Sequence, residues 1–141
     1  MNSHNTRSEE ETIALGRVIA RELPPRAVVL LVGNLGAGKT TLAKGILSGL
    51  GLAVPDEVTS PTFTLIHEYG NGRAYHIDLY RLDTAAQVAT LGLEEILDRD
   101  AVVLIEWGER FPEIMPADRM EVHLRTLQGE IRQIDLRKGP F

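Results

Sequence analysis

The sequence predicts an α/β domain, a mixed β-sheet flanked by helices, with residues 1–141 forming a single unit. Three observations lead there. The loop Gly33-Asn34-Leu35-Gly36-Ala37-Gly38-Lys39-Thr40 has the form G-x-x-x-x-G-K-[ST]. It follows the apolar run Ala27 to Val32, and it opens a helix-like stretch from Thr41 to Leu50. A strand, a glycine-rich loop and a helix in that order are the context a phosphate-binding P-loop requires, which makes the fold P-loop NTPase-like.

The bulk properties agree with one such domain. A chain of 141 residues is long enough to bury roughly two thirds of its unfolded surface. Its 43% hydrophobic and 25% charged residues are ordinary for a globular protein. There is no linker, repeat or low-complexity segment to mark a second domain. The net charge of −5 argues against a general basic surface for nucleic acid. The chain has no cysteine, which removes disulfides, thiolate chemistry and cysteine-based zinc sites. Residues Met1 to Arg7 are polar and lack the apolar core of a signal peptide, and no run is long enough to span a bilayer. The expectation is a cytosolic protein with no membrane partner.

Taken in order, Ser8 with Glu11 three positions on reads as a capping box. The helix it starts should reach about Leu23, with Ile13, Val18, Ile19 and Leu23 inward and Pro24-Pro25 as a stop. Ala27 to Val32 is apolar on both faces, as a central parallel strand must be when helices cover both sides. Strands about Thr62 to Tyr69 and Arg73 to Tyr80 should form a hairpin through Gly70-Asn71-Gly72, residues that tolerate positive φ. Alternation puts Tyr75, Ile77 and Leu79 on one face of the second strand, and His76, Asp78 and Tyr80 on the other. Residues 84–98 read as helical with a break near Gly92. Ala101 to Ile105 is an apolar run ending in Glu106. A last hairpin is expected from Met120 to Leu127 and Ile131 to Lys138, turning at Gln128-Gly129-Glu130, as an edge with one solvated face.

The P-loop carries its own chemistry. Its glycines let successive backbone N–H groups point into one concavity, from Asn34, Leu35, Gly36, Ala37 and Gly38 to Thr41. The following helix adds the positive end of its dipole. Lys39 supplies a mobile charge for the outer phosphates, and the Thr40 hydroxyl is placed to ligate magnesium. Hydrolysis or transfer also needs an acid opposite the loop, and Glu106 at the end of a buried strand fits. Read blandly, Glu106 is a solvated strand end. Asp78 is a second candidate acid for magnesium; the competing reading pairs it with Arg81 or a backbone N–H. His76 reads as a packed or hydrogen-bonded histidine rather than a base. Ser60 and Thr62 flank Pro61 in a loop that either senses the outer phosphate or merely turns the chain into the next strand. Trp107, the only tryptophan, faces away from Glu106 on alternation, so packing competes with a place beside the nucleotide. The Asn-Lys-x-Asp signature of guanine-specific proteins does not occur, which tilts the choice to ATP. Arg81 and Arg110 are possible transition-state arginines, or surface residues.

With these residues in place the chain closely resembles the bacterial TsaE (YjeE) family of small P-loop ATPases. The resemblance rests on Gly33 to Thr41, Thr59-Ser60-Pro61-Thr62-Phe63, Tyr75-His76-Ile77-Asp78-Leu79-Tyr80-Arg81 and Ile105-Glu106-Trp107, in that order. It implies a part in making threonylcarbamoyladenosine in tRNA, in which the family member binds a TsaB–TsaD pair and hydrolyses ATP to reset it; tRNA is met only through the complex. It implies that Lys39 holds the β- and γ-phosphates and that Thr40 ligates Mg2+. It further implies that Asp78 and Glu106 complete the metal site or position water, that Ser60 and Thr62 form a nucleotide-sensing loop, and that Trp107 belongs to the site. Asn34 stands where the family often has an acid and Leu42 where it often has Phe. The alternatives are a small-molecule kinase, for which no Arg-rich lid is present, a nucleotide-dependent binding module with negligible catalysis, and direct tRNA binding.

Overall fold

The computed structural model describes residues 2–141; Met1, counted above in the polar N-terminal stretch, lies outside them. The chain folds as β1 (Asn2–Thr6), α1 (Glu9–Glu22), β2 (Ala27–Val32), α2 (Lys39–Gly49), β3 (Ile66–Tyr69), β4 (Ala74–Asp78), α3 (Ala85–Ala89), α4 (Leu93–Leu97), β5 (Val102–Glu106), β6 (Met120–Gln128) and β7 (Ile131–Lys138). Short 3-10 turns at Pro55–Glu57 and Gly108–Arg110 complete it.

One sheet of seven strands runs in the order β1-β7-β6-β2-β5-β4-β3. β6, β2, β5 and β4 are mutually parallel, and the β6–β7, β7–β1 and β3–β4 pairs are antiparallel. The mixed sheet and its flanking helices are as expected. α1 and α2 cover one face with Val29, Leu31, Leu104 and Val122; α3 and α4 cover the other with Leu30, Ile77, Val103 and Ile105. The alternation of Val29, Leu30 and Leu31 between two cores explains why this strand is apolar on both sides.

The helix start is as read, with a variation. Ser8 Oγ accepts from the Glu11 N–H at 3.2 Å, while the Glu11 carboxylate accepts from the Arg7 N–H at 2.9 Å. Val18 is not inward: it is 47% exposed, because α1 meets α2 along Thr12, Gly16, Ile19 and Ala20, and Val18 lies off that stripe. The helical pattern over 84–98 is broken at Gly92 as expected. Gly92 has φ 74°, and Thr84 caps the first piece by accepting from the Gln87 N–H at 3.2 Å.

Three further boundaries and one edge assignment differ. The strand expected from Thr62 starts only at Ile66, since the Leu65 N–H reaches back to the Pro61 carbonyl at 2.7 Å and Leu65 takes φ 71°, closing a turn. The strand expected to reach Tyr80 ends at Asp78, whose own carboxylate accepts from the Tyr80 N–H at 2.8 Å and bends the chain. The helix after the P-loop begins at Lys39 rather than Thr41, directly after Gly38 at φ 99°. The last hairpin forms where expected but is not an edge: β6 lies against β2, and β7 is covered by β1, a polar strand that the sequence reading left without structure. No described helix is long and apolar enough to cross a membrane.

Candidate phosphate and metal site

The parallel strands β2, β4 and β5 all end at one side of the sheet, and the residues that follow or end them face one cleft. Ligands of open α/β sheets bind at this carboxyl end. The register β4 Asp78 beside β5 Glu106 sets the two acids on neighbouring strands, and Leu31 of β2 sits opposite Glu106 on the other side. The P-loop leaves β2 immediately afterward. Gly33 is needed there for space, because a Cβ would come 2.6 Å from the Leu124 carbonyl oxygen of β6.

The resulting cleft has a volume of about 370 Å³ and gathers Lys39, Thr40, Thr41, Ser60, Thr62, Asp78, Glu106 and Trp107 together with Leu35, Gly36 and Gly38. Of the residues expected to hold phosphate or metal, Asn34 and Ala37 stay out of the lining. Ala37 packs in the core, and the Asn34 carbonyl accepts from the Ala37 N–H at 3.1 Å.

Lys39 is 5% exposed. Its Nζ donates to the Gly33 carbonyl at 2.6 Å and lies 3.6 Å from the centre of the Trp107 ring. Burial lowers its pKa from the ordinary lysine value, against the opposing pull of Glu106, Glu109 and Asp78. Trp107 does not continue the alternation of β5. It takes φ 67°, which ends the strand at Glu106 and turns the indole back over Lys39 and against Tyr80, ring centres 5.1 Å apart. Its place is beside the cleft.

Glu106 is a buried acid with partners, not a solvated strand end. Its Oε2 accepts from Thr40 Oγ1 at 3.3 Å and lies 2.6 Å from His76 Nε2. Asp78 has a different set: Oδ1 takes the Tyr80 N–H, and Oδ2 takes the hydroxyls of Thr62 at 3.0 Å and Ser60 at 3.4 Å. Thus Asp78 has the backbone partner anticipated as one alternative, and also ties the Ser60–Thr62 loop to the sheet. Arg81 is not its partner; that guanidinium lies 4.9 Å from the centre of the exposed Phe63 ring.

Neither suggested arginine lines the cleft. Arg110 donates to the Tyr80 carbonyl at 2.8 Å and faces Asp83. The arginine that does is Arg132 of β7, which donates to the Gly36 carbonyl of the P-loop at 3.2 Å and to Gly129 at 2.6 Å. Ser8, Glu9 and Thr12 at the start of α1, and Glu130 in the last turn, complete that end of the cleft. Sequence reading missed them because they join the P-loop only through sheet order; Ser8 was visible only as a cap.

Among the described residues no three His, Cys, Asp or Glu are grouped to hold a metal on their own. Two carboxylates and one hydroxyl at a glycine-rich loop instead suit magnesium, a hard cation that keeps waters and takes most oxygens from a bound phosphate. The fit is chemical: where Thr40 and Glu106 meet, 3.3 Å apart, both present oxygen.

Comparison with known proteins follows the same lines. The family model described as "Threonylcarbamoyl adenosine biosynthesis protein TsaE" matches residues 6–134. A tRNA threonylcarbamoyladenosine biosynthesis protein TsaE of Treponema pallidum is 40% identical over 130 residues, covering 92% of this chain and 95% of the relative. The protein of the same name from Bacillus subtilis is 38% identical over 131 residues, covering 92% and 80%. The crystal structure of Bacillus subtilis YdiB superposes with a TM-score of 0.78 at 33% identity, covering 97% of this chain and 84% of that one.

Proposed function

The chain belongs to the TsaE family of threonylcarbamoyladenosine biosynthesis proteins, and from that premise we propose that it is the ATP-binding and ATP-hydrolysing accessory subunit of the bacterial tRNA threonylcarbamoyladenosine machinery, acting in the cytoplasm with a TsaB–TsaD pair. The observation that carries the reading is the convergence of Lys39, Thr40, Asp78 and Glu106 on one cleft behind a complete P-loop.

In this reading the P-loop N–H groups of Leu35, Gly36, Gly38, Lys39, Thr40 and Thr41 hold the phosphates of ATP without needing side chains. Lys39 leaves the Gly33 carbonyl and the Trp107 ring to meet the outer phosphates. Its stowed position keeps the charge inside the site before ligand arrives. Thr40 and Glu106 would hold Mg2+, with Asp78 behind them. The metal, when bound, neutralises charge on the phosphate oxygens. Glu106 orients water, and Asp78 binds the Ser60 and Thr62 hydroxyls so that the loop that meets the outer phosphate is joined to the sheet. The binding of tRNA is left to the partners, in keeping with the acidic balance of the chain.

The test is magnesium-dependent ATP hydrolysis by the purified chain, alone and with a TsaB–TsaD pair, with Lys39→Ala as control. Slow turnover alone, stimulation by the pair and loss of at least about a hundredfold in Lys39→Ala are expected, the scale at which removal of one transition-state charge contact is felt. Unchanged hydrolysis in Lys39→Ala would remove the P-loop from the reading. Hydrolysis that the pair neither binds nor stimulates would remove the partnership.

A further inference from the structure

His76 is completely buried in the middle of β4, yet no step above uses it. It points to the α1/α2 side of the sheet, where Glu106 and Asp78 also lie, and its neighbours across the sheet are Leu104 on β5 and His67 on β3. Its Nε2 is 2.6 Å from Glu106 Oε2, among the shortest side-chain contacts in the protein. Its Nδ1 is buried with no hydrogen-bond partner. A buried N–H without an acceptor costs about 1–3 kcal/mol, more than an unused lone pair, so the proton belongs on Nε2, where it is donated to the carboxylate.

The described side chains give Glu106 two donors: His76 at 2.6 Å and Thr40 at 3.3 Å. Thr40 is the residue that turns toward the metal when magnesium and ATP bind, on the reading given above. Its long bond to Glu106 is the one that loading the site would take away. We propose that His76 is the positioning residue for Glu106: its Nε2–H holds Oε2 on the protein side and leaves Oε1 directed to the cleft after Thr40 has changed partner. His76 does not touch substrate or metal in this arrangement; it acts by holding the acid that does. The inference rests on the nucleotide reading of the same cleft.

Two substitutions separate positioning from packing. His76→Leu keeps apolar bulk and removes the donor, whereas His76→Gln retains an amide N–H at similar reach. The probe is Mn2+ affinity measured by electron paramagnetic resonance in the presence of a non-hydrolysable ATP analogue, set beside metal-free analogue affinity and thermal unfolding. His76→Leu is expected to weaken Mn2+ binding roughly tenfold or more, the usual effect of removing the group that orients a metal-holding side chain, with metal-free affinity within about twofold of wild type. His76→Gln should recover most of the metal affinity. Unchanged Mn2+ affinity in a folded His76→Leu would overturn the proposal, as would losses of metal-bound and metal-free affinity that simply track the folded fraction.

If His76→Leu fails to fold, histidine ring 15N spectra of the wild type decide. An Nε2–H form that persists and shifts when Mg2+ and the analogue are added supports the role; an Nδ1–H form, or no shift, overturns it. A wild type that does not bind the analogue at all would sink the ATP reading and this inference with it. A wild type that binds normally while His76→Leu matches it would sink the inference alone.

Discussion

Glu109 sits one residue beyond the Gly108 that packs beneath Leu30 and Met115, and its Oε1 is buried with no hydrogen-bond partner. Burial raises its pKa above the ordinary value of 4.5, while Lys39 and His123 pull it down and Glu121 pushes it up. A carboxyl raised in the folded state holds its proton more tightly there than in the unfolded chain. Stability therefore falls as pH rises from the ordinary carboxylate value through the raised one, and the full cost is present above it. Glu109→Gln is expected to be more stable than wild type at pH 7.5, by up to about 1 kcal/mol, with the advantage fading by pH 4.5. Urea unfolding of both proteins at the two pH values checks it; an advantage that grows on acidification would reverse the sign and refute the assignment. Residue identity made Lys39, Thr40, Asp78 and Glu106 legible because each chemistry admits few side chains. Nothing local distinguished Glu109 or Arg132, whose surroundings come from other strands.

At the scale of elements, the P-loop helix is held by an unusually close crossing. α1 and α2 meet through Gly16, Gly45 and Gly49: a Cβ on Gly16 would come 2.6 Å from the Leu42 carbonyl oxygen, and one on Gly45 would collide with the Ile13 carbonyl oxygen. Glycine inside a helix normally costs about 1 kcal/mol relative to alanine. Here the cost is offset by close packing of the two backbones, which also puts the start of α1, with Ser8 and Thr12, beside the cleft. Gly45→Ala should reverse the usual preference and destabilise the protein by about 1–3 kcal/mol, lowering the melting temperature by roughly 3–10 °C. Calorimetric unfolding measures it, and a stabilised Gly45→Ala would show that the helices can separate at no cost. Apolar periodicity located both helices, but Val18 was misplaced because the contact stripe depends on which neighbour the helix has, and here the neighbour is met through glycines. The turn at 62–65 was likewise hidden: Thr62 and Phe63 suit a strand, and the Asp78 carboxylate that draws the Thr62 hydroxyl lies sixteen positions away.

For the whole molecule, the consequential feature is β1, the strand that closes the β7 edge of the sheet. β1 pairs antiparallel with β7, Thr6 is buried, and its hydroxyl shares a 2.7 Å hydrogen bond with that of Thr12 on α1. Removing residues 2–6 would strip β7 of its outer neighbour and expose a row of backbone groups able to pair with another chain. The shortened protein is expected to unfold at lower temperature and to self-associate with rising concentration in sedimentation experiments; a monodisperse protein of unchanged stability would show that β1 contributes nothing. A stretch as polar as Ser3 to Thr6 carries no strand signal, because its pairing comes from β7 and not from its own side chains. Backbone freedom at glycine, apolar runs and oxygen chemistry are properties of short segments, so the P-loop, the order of elements from α1 onward, the hairpin turns and the central acids were legible without the fold. Only the tertiary structure decided that β6 lies beside β2, that Arg132 reaches the P-loop, that Trp107 turns back over Lys39 and that His76 grips Glu106. Each of those depends on strand order and on where a strand stops, which long-range backbone pairing sets and local sequence does not encode.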